Sequence, residues 1–272
     1  MGADELEQAT TGARNMNEVS FDEYGRCIPA SLEAPAHKES RRYFSVTQPE
    51  IDYKKIYIRL NDNFNFSKSL SVEVFQQRAE AIIADLKSDS KYSNINRGVA
   101  VPFILPRAQY DDIGEALEKE YLGAVQKSFN DKFPDYSFTN HCTESLKGKF
   151  SVVEGSRHKK LLEAMQNDVV VGVYFPSLLE YSVPAAIEQE ANLPEHFLLA
   201  GGFDTAAAFI GSPDLLLRTD GYPPLLWLSG LAAEKEDIGY HFEAYGYGLT
   251  FNRRAHLGHV AEYWASGLVV LG

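Results

Sequence analysis

Cysteine is nearly missing from this sequence: Cys27 and Cys142 are the only two in 272 residues. Two cysteines so far apart exclude a disulfide framework and a four-cysteine zinc site, and they suggest two reduced thiols in a cytoplasmic protein. Also missing is any run of about 20 apolar residues free of charge, proline and glycine, so no membrane-spanning helix is expected. The N-terminal stretch MGADELEQATTG is acidic and polar. It lacks the basic and apolar regions of a signal peptide, and Leu6 stands where a myristoylation signal needs Ser or Thr. Cations are in deficit too. There are 26 Lys and Arg against 38 Asp and Glu, a net charge of −12. That balance argues against nucleic acid, whose phosphates need clustered cations. What is present is ample core material, with 44% apolar and 12% aromatic residues, so the chain is expected to fold.

The first 42 residues carry apolar side chains without period and read as a flexible tail, with residues 43–272 as a single domain and a sub-boundary available near 177–184. Lys55 to Leu60 alternates apolar and polar residues as a half-buried strand does. Val72, Phe75, Ala79, Ile82, Ile83 and Leu86 fall on one face of a helix from Ser71 to Lys87, which Ser69 or Ser71 can cap. Val99 to Leu105 reads as a strand that Pro102 confines to an edge or a bulge. Ile113, Leu117, Tyr121, Val125 and Phe129 form a second helical stripe, with Asp111 and Asp112 at its positive end. A strand near Phe150 to Val153, a helix from Lys159 to Met165 and a buried strand from Val169 to Phe175 follow. Pro184 suits the first turn of a helix ending at Ala191.

The last third changes character. Short runs at Phe197–Ala200, Asp214–Arg218, Leu225–Ser229 and Gly239–Phe251 are punctuated by glycines and prolines, as antiparallel strands are, with one helical turn over Thr205–Phe209. The expected class is therefore α+β: a mixed helix and strand N-terminal part followed by an antiparallel, strand-rich C-terminal third. This third also holds the excess acid. From Tyr181 onward there are 11 acids and 4 bases, whereas residues 43–180 carry 19 and 17.

Pro224-Leu225-Leu226-Trp227-Leu228-Ser229, then Gly239-Tyr240-His241-Phe242 and Gly246-Tyr247-Gly248-Leu249, resembles the C-terminal end of an uncharacterised, mainly actinobacterial domain family. Tyr240, Phe242 and Tyr247 stand where that family carries tryptophan. The resemblance covers about a third of the chain; it implies a bacterial origin and no particular activity.

Four constellations could carry function. His256, His259 and Glu262 are spaced i, i+3, i+6, so on a helix they would share a face and could hold zinc or iron, with His241 or Glu243 adding a ligand. Gly258 weakens such a helix, and a plain loop explains the same residues. The strand into Gly201-Gly202-Phe203-Asp204-Thr205 could aim backbone amides at an anion, or simply be a turn that Asp204 or Thr205 caps. His141 and Cys142 are adjacent, which usually points them apart and spoils a nucleophile–base pair. Tyr222, Trp227, Tyr240, Phe242, Tyr245 and Tyr247 make this third unusually aromatic. They form either a binding surface or the core face of a sheet. Two functions compete on these grounds. One is an acidic cytoplasmic binding protein whose aromatic, acidic sheet contacts a basic protein or a small ligand, for example as an inhibitor of a basic enzyme. The other is a metal-dependent hydrolase built on His241, His256, His259 and Glu262. The sequence sets no oligomeric state.

Overall fold

The computed structural model describes residues 19–217, 221–246 and 248–272. In chain order its elements are α1 (Tyr53–Phe64), α2 (Val72–Ser88), β1 (Val101–Leu105), α3 (Ile113–Ala116), a π-helical turn (Leu117–Tyr121), α4 (Leu122–Lys132), β2 (Phe138–Asn140), β3 (Phe150–Val152), α5 (His158–Asn167), β4 (Val170–Leu179), α6 (Val183–Ala191), β5 (Leu198–Leu199), α7 (Gly202–Gly211), β6 (Leu225–Trp227), β7 (Leu231–Ala233), β8 (Ile238–Tyr245), β9 (Gly248–Ala255) and β10 (Trp264–Leu271). The fold is α+β, and its C-terminal part is rich in strands.

One mixed sheet runs β1-β4-β10-β6-β8-β9-β2, with β5 also on β10, and β3 pairs β7 separately. β1 is an edge strand, which is where Pro102 can sit without breaking a ladder. The late strands interleave with early ones: β10 pairs β4 antiparallel and β6 parallel. Parallel pairing also joins β2 to β9.

Ser71 caps α2 by accepting from the Val74 amide, and Asp112 caps α3 by accepting from Glu115 N at 2.7 Å. Ser182 does the same for α6, with proline in its first turn. The alternation from Lys55 to Leu60, which suggested a strand, lies in α1. Asp52 caps this helix at Lys55 N, and Ile56, Tyr57 and Leu60 share its buried side. Their i, i+1, i+4 spacing belongs to a helix; the strand-like alternation came from Ile56, Ile58 and Leu60, of which Ile58 is exposed. Asp214 to Leu217 is a turn rather than a strand, closed by Leu215 N to Ser212 O and Leu217 N to Asp214 O.

At the centre sits α7. The sequence suggested one helical turn here, but all ten residues from Gly202 to Gly211 are helical and every one is buried. A helix apolar all round can only be stable when surrounded, and α7 contacts α1, α4 and β1. Tyr121 stacks on Phe203 with ring centroids 4.6 Å apart.

The flexible tail expected over residues 1–42 is corrected from residue 19 onward; residues 1–18 lie outside the described residues. Residues 19–46 form a strap bound across the body. Phe21 and Cys27 are fully buried and bridge to each other. Ala36 bridges to Tyr181, and Phe44 to Tyr222. Arg26, 4% exposed, clamps this strap. Its Nε donates to Leu179 O at 2.9 Å, and its guanidinium also reaches the carbonyls of His37 and Lys38. Glu180 accepts from His37 Nδ1 at 2.9 Å and from Ser40 Oγ at 2.6 Å. Low local hydrophobic density misled the sequence reading, because the strap is held by polar contacts to residues far away in the chain. No helix of the described residues is long and apolar enough to cross a membrane.

Candidate protein-binding surface

Strand β8 sorts its side chains by alternation. Tyr240 and Phe242 face the helical side: Phe242 meets Phe209 of α7 at 4.8 Å, and Tyr240 meets Phe150 at 4.5 Å. His241 and Glu243 face the other way. There His241 packs on Trp227 at 4.9 Å, and Trp227 meets Trp264 edge-on at 5.0 Å. Val183, Leu225, Trp227 and Trp264 make a second, smaller core, over which Leu257, Ala261 and Tyr263 fold.

This geometry corrects half of the proposed aromatic surface. Trp227, Tyr240 and Phe242 are at most 2% exposed and belong to the core. Tyr222 and Tyr245 are on the surface, at 57% and 77% exposure. Tyr247 lies outside the described residues.

The exposed pair gains partners that sequence reading missed. The strap carries Tyr43 and Phe44 to the sheet, where Ser45 N donates to Tyr222 O at 3.1 Å. Tyr43 stacks on Tyr222 at 5.3 Å with both rings more than half exposed. Phe44 lies 5.8 Å from Tyr263. Phe44, Tyr222 and Tyr263, together with Pro223, Glu243 and Arg254, line a shallow groove of about 380 Å³, and Tyr43 stacks on its Tyr222 wall. Arg254 donates to the Tyr263 hydroxyl at 2.7 Å and sits 3.5 Å from Glu243. Local charge in the groove is thus balanced while its walls are aromatic. The signal available in sequence was the aromatic doublet Tyr43-Phe44 and the single Tyr222, but nothing in the sequence joins them across 179 positions.

His241 is fully buried, and burial holds its imidazole below the ordinary histidine range. Its Nε2 lies 3.4 Å from Glu243, an electrostatic contact rather than a formed hydrogen bond, since both ring nitrogens lack a hydrogen-bond partner. The neighbouring His241 ring holds the Glu243 carboxyl below the usual carboxylate range.

The proposed zinc or iron ligands do not converge. Residues 256–263 form a loop, because His256 has φ of +71° and ends β9 instead of starting a helix. His256 and His259 stack at 5.5 Å on the surface, with His256 beside Asp237. Glu262 pairs with Arg41 at 3.3 Å, and His241 is interior. Among the described residues, no group of three or more His, Cys, Asp or Glu side chains is placed to hold a metal ion.

The glycine turn before α7 is closed by the chain itself. Both carboxylate oxygens of Asp204 accept from Gly201 N, at 2.9 and 3.0 Å. An external anion would meet a buried carboxylate there, and burial raises the Asp204 pKa. Both cysteines are free. Desolvation pushes Cys27 up to about 12 and Cys142 up to about 11, so neither is a thiolate nucleophile near neutral pH. No family model, curated protein or solved structure matches this chain.

Proposed function

We propose that this is a binding protein whose target is a basic protein, docked on the aromatic groove between the strap and β8. The observation that carries the reading is the stacked, half-exposed pair Tyr43–Tyr222, with Tyr245 beyond it at 77% exposure. Tyrosines bury large areas at low entropic cost and are enriched where interfaces concentrate their energy. The net charge of −12 supplies the other half. Long-range attraction speeds encounter and selects the sign of the partner, while the aromatic rings supply affinity. The groove itself needs no net charge for this division of labour.

The partner class that fits best is an enzyme acting on a polyanion, since such enzymes expose basic sites that an acidic surface can occlude. Two unpaired cysteines agree with a reducing, cytoplasmic setting. The C-terminal resemblance to an actinobacterial domain family is compatible with this role and assigns none.

The test is capture from host cytosol on immobilised native protein and on Tyr43→Ala/Tyr222→Ala, followed by kinetics with the purified partner. The expected result is a basic protein bound by the native chain, with an association rate that falls as salt is raised. Loss of each anchor ring should cost about 2 kcal/mol, roughly thirtyfold in Kd. Equal binding by the double variant, or a partner that is itself acidic, would refute the reading.

A further inference from the structure

A small pocket of about 80 Å³ lies under the strap, where Arg26, Arg42 and Ser45 meet Ser177 and Leu179 at the end of β4. Another side is the contact of Gly25 with Gly98, so close that a Cβ on Gly25 would lie 2.3 Å from Gly98 N. The space exceeds what one water molecule needs.

Two groups at its wall lack the partner that burial demands. Arg26 is 4% exposed, yet its guanidinium pairs with no carboxylate among the described residues. Three of its five N–H groups go to the carbonyls of Leu179, His37 and Lys38, the last at a long 3.4 Å. A buried cation ordinarily has an anion beside it. The carboxylates on this strap and at its dock are otherwise engaged: Asp22 accepts from the backbone amides of Tyr24 and Arg26, and Glu180 accepts from His37 and Ser40. The second group is Ser177, 5% exposed, whose buried hydroxyl has no hydrogen-bond partner, an arrangement that costs stability unless something accepts from it. Arg42 adds a second cation. It is exposed, lies 3.3 Å over the Tyr24 ring and forms no ion pair among the described residues. No Asp or Glu among the described residues lines the pocket, so its wall is positive although the chain carries −12.

We propose that this pocket binds a phosphate group, its oxygens held between the Arg26 and Arg42 guanidiniums, with the Ser177 hydroxyl donating to one of them. Guanidinium forks match phosphate oxygens in pairs. A phosphate ester, nearly dianionic at neutral pH, balances both arginines, whereas a carboxylate balances one. Any organic remainder would project past Arg42, the exposed side. Inorganic phosphate and a small phosphate monoester present the same chemistry. The site is separate from the aromatic groove and does not depend on the function proposed for it.

The test follows backbone amide shifts of the full chain, at neutral pH and constant ionic strength, titrated with inorganic phosphate, methyl phosphate and acetate in turn. The variants are Arg42→Gln and Ser177→Ala. Arg42 is exposed and the Ser177 hydroxyl holds nothing in the protein, so both should melt as the native chain does without added phosphate. Saturable shifts at Gly25, Ser45, Gly98 and Ser177 are expected with phosphate. Binding should be roughly tenfold weaker with acetate, and roughly tenfold weaker for phosphate in each variant. Saturation by inorganic phosphate alone supports the free ion as ligand, and saturation by methyl phosphate as well supports an ester. The proposal is overturned by no saturable shift at these amides with either phosphate, by acetate binding as tightly, or by unweakened binding in either variant.

Discussion

Replacing Arg26 by Met should release the strap without unfolding the body. Methionine retains the aliphatic stem, so the change removes chiefly the guanidinium, its three carbonyl contacts and its place 5.6 Å from the Tyr181 ring. A hydrogen bond to a charged donor contributes about 1.5–3 kcal/mol. The contact to Lys38 O, at 3.4 Å, is long and contributes little. Relief of the guanidinium's desolvation offsets part of the loss, leaving a local cost of about 2–4 kcal/mol. The cost should fall on the bonds that dock the strap: Cys27 N to Ser177 O, His37 N to Glu180 O, and Ser45 N to Tyr222 O. Hydrogen exchange at single-amide resolution measures it. Amides of Cys27, His37 and Ser45 should exchange roughly thirty- to seven-hundredfold faster, while amides of β4 and β10 keep their native rates. Since Tyr43 rides on this strap, affinity for the proposed basic partner should fall as well. Unchanged exchange at these three amides would refute the clamp. Uniform acceleration over the whole chain would show that Arg26 supports the core and not the strap.

Gly201→Ala should destabilise the fold by about 1–3 kcal/mol in urea melts, because a Cβ there would lie 2.3 Å from His158 Nε2. The His158 ring cannot yield, being buried and held by its Nδ1 contact to Leu199 O at 3.0 Å; a change under about 0.5 kcal/mol would contradict this. Phe209→Ala should cost about 3–5 kcal/mol, since the ring is fully buried against Phe242, and thermal melting would check it. Stability should also depend on pH. Burial depresses the folded pKa of His241 below 6.5, so the unfolded chain binds a proton the folded one resists. Its contribution to stability is complete above about 6.5 and is lost as pH falls toward the folded value. His196 shifts in the same direction, so His241→Phe should reduce the slope of stability against pH below 6.5 without abolishing it. An unaltered slope would count against a buried neutral His241.

The sequence by itself determined the local events. The cap at Ser71, the acids at the positive end of α3, the proline in the first turn of α6, the amphipathic stripe of α2 and the edge position of Pro102 follow from electrostatics, hydrogen-bonding needs and periodicity within a few residues. The α+β class and the strand-rich C-terminal part follow from the same rules. Asp204 closing the glycine turn was one of two local readings, and it is the one the fold uses.

Only the tertiary structure decided which face each residue met. Tyr222, Trp227, Tyr240 and Phe242 are one aromatic population in sequence, yet alternation on β8 and the cover of residues 256–263 bury three of them and leave Tyr222 outside. The two histidines and Glu262 lost their shared face when His256 took a left-handed backbone and no helix formed. Arg26 looked like part of a tail because its partner, Leu179, is more than 150 positions away. Periodicity reports what one element needs to bury; it carries no record of which distant element comes to cover it.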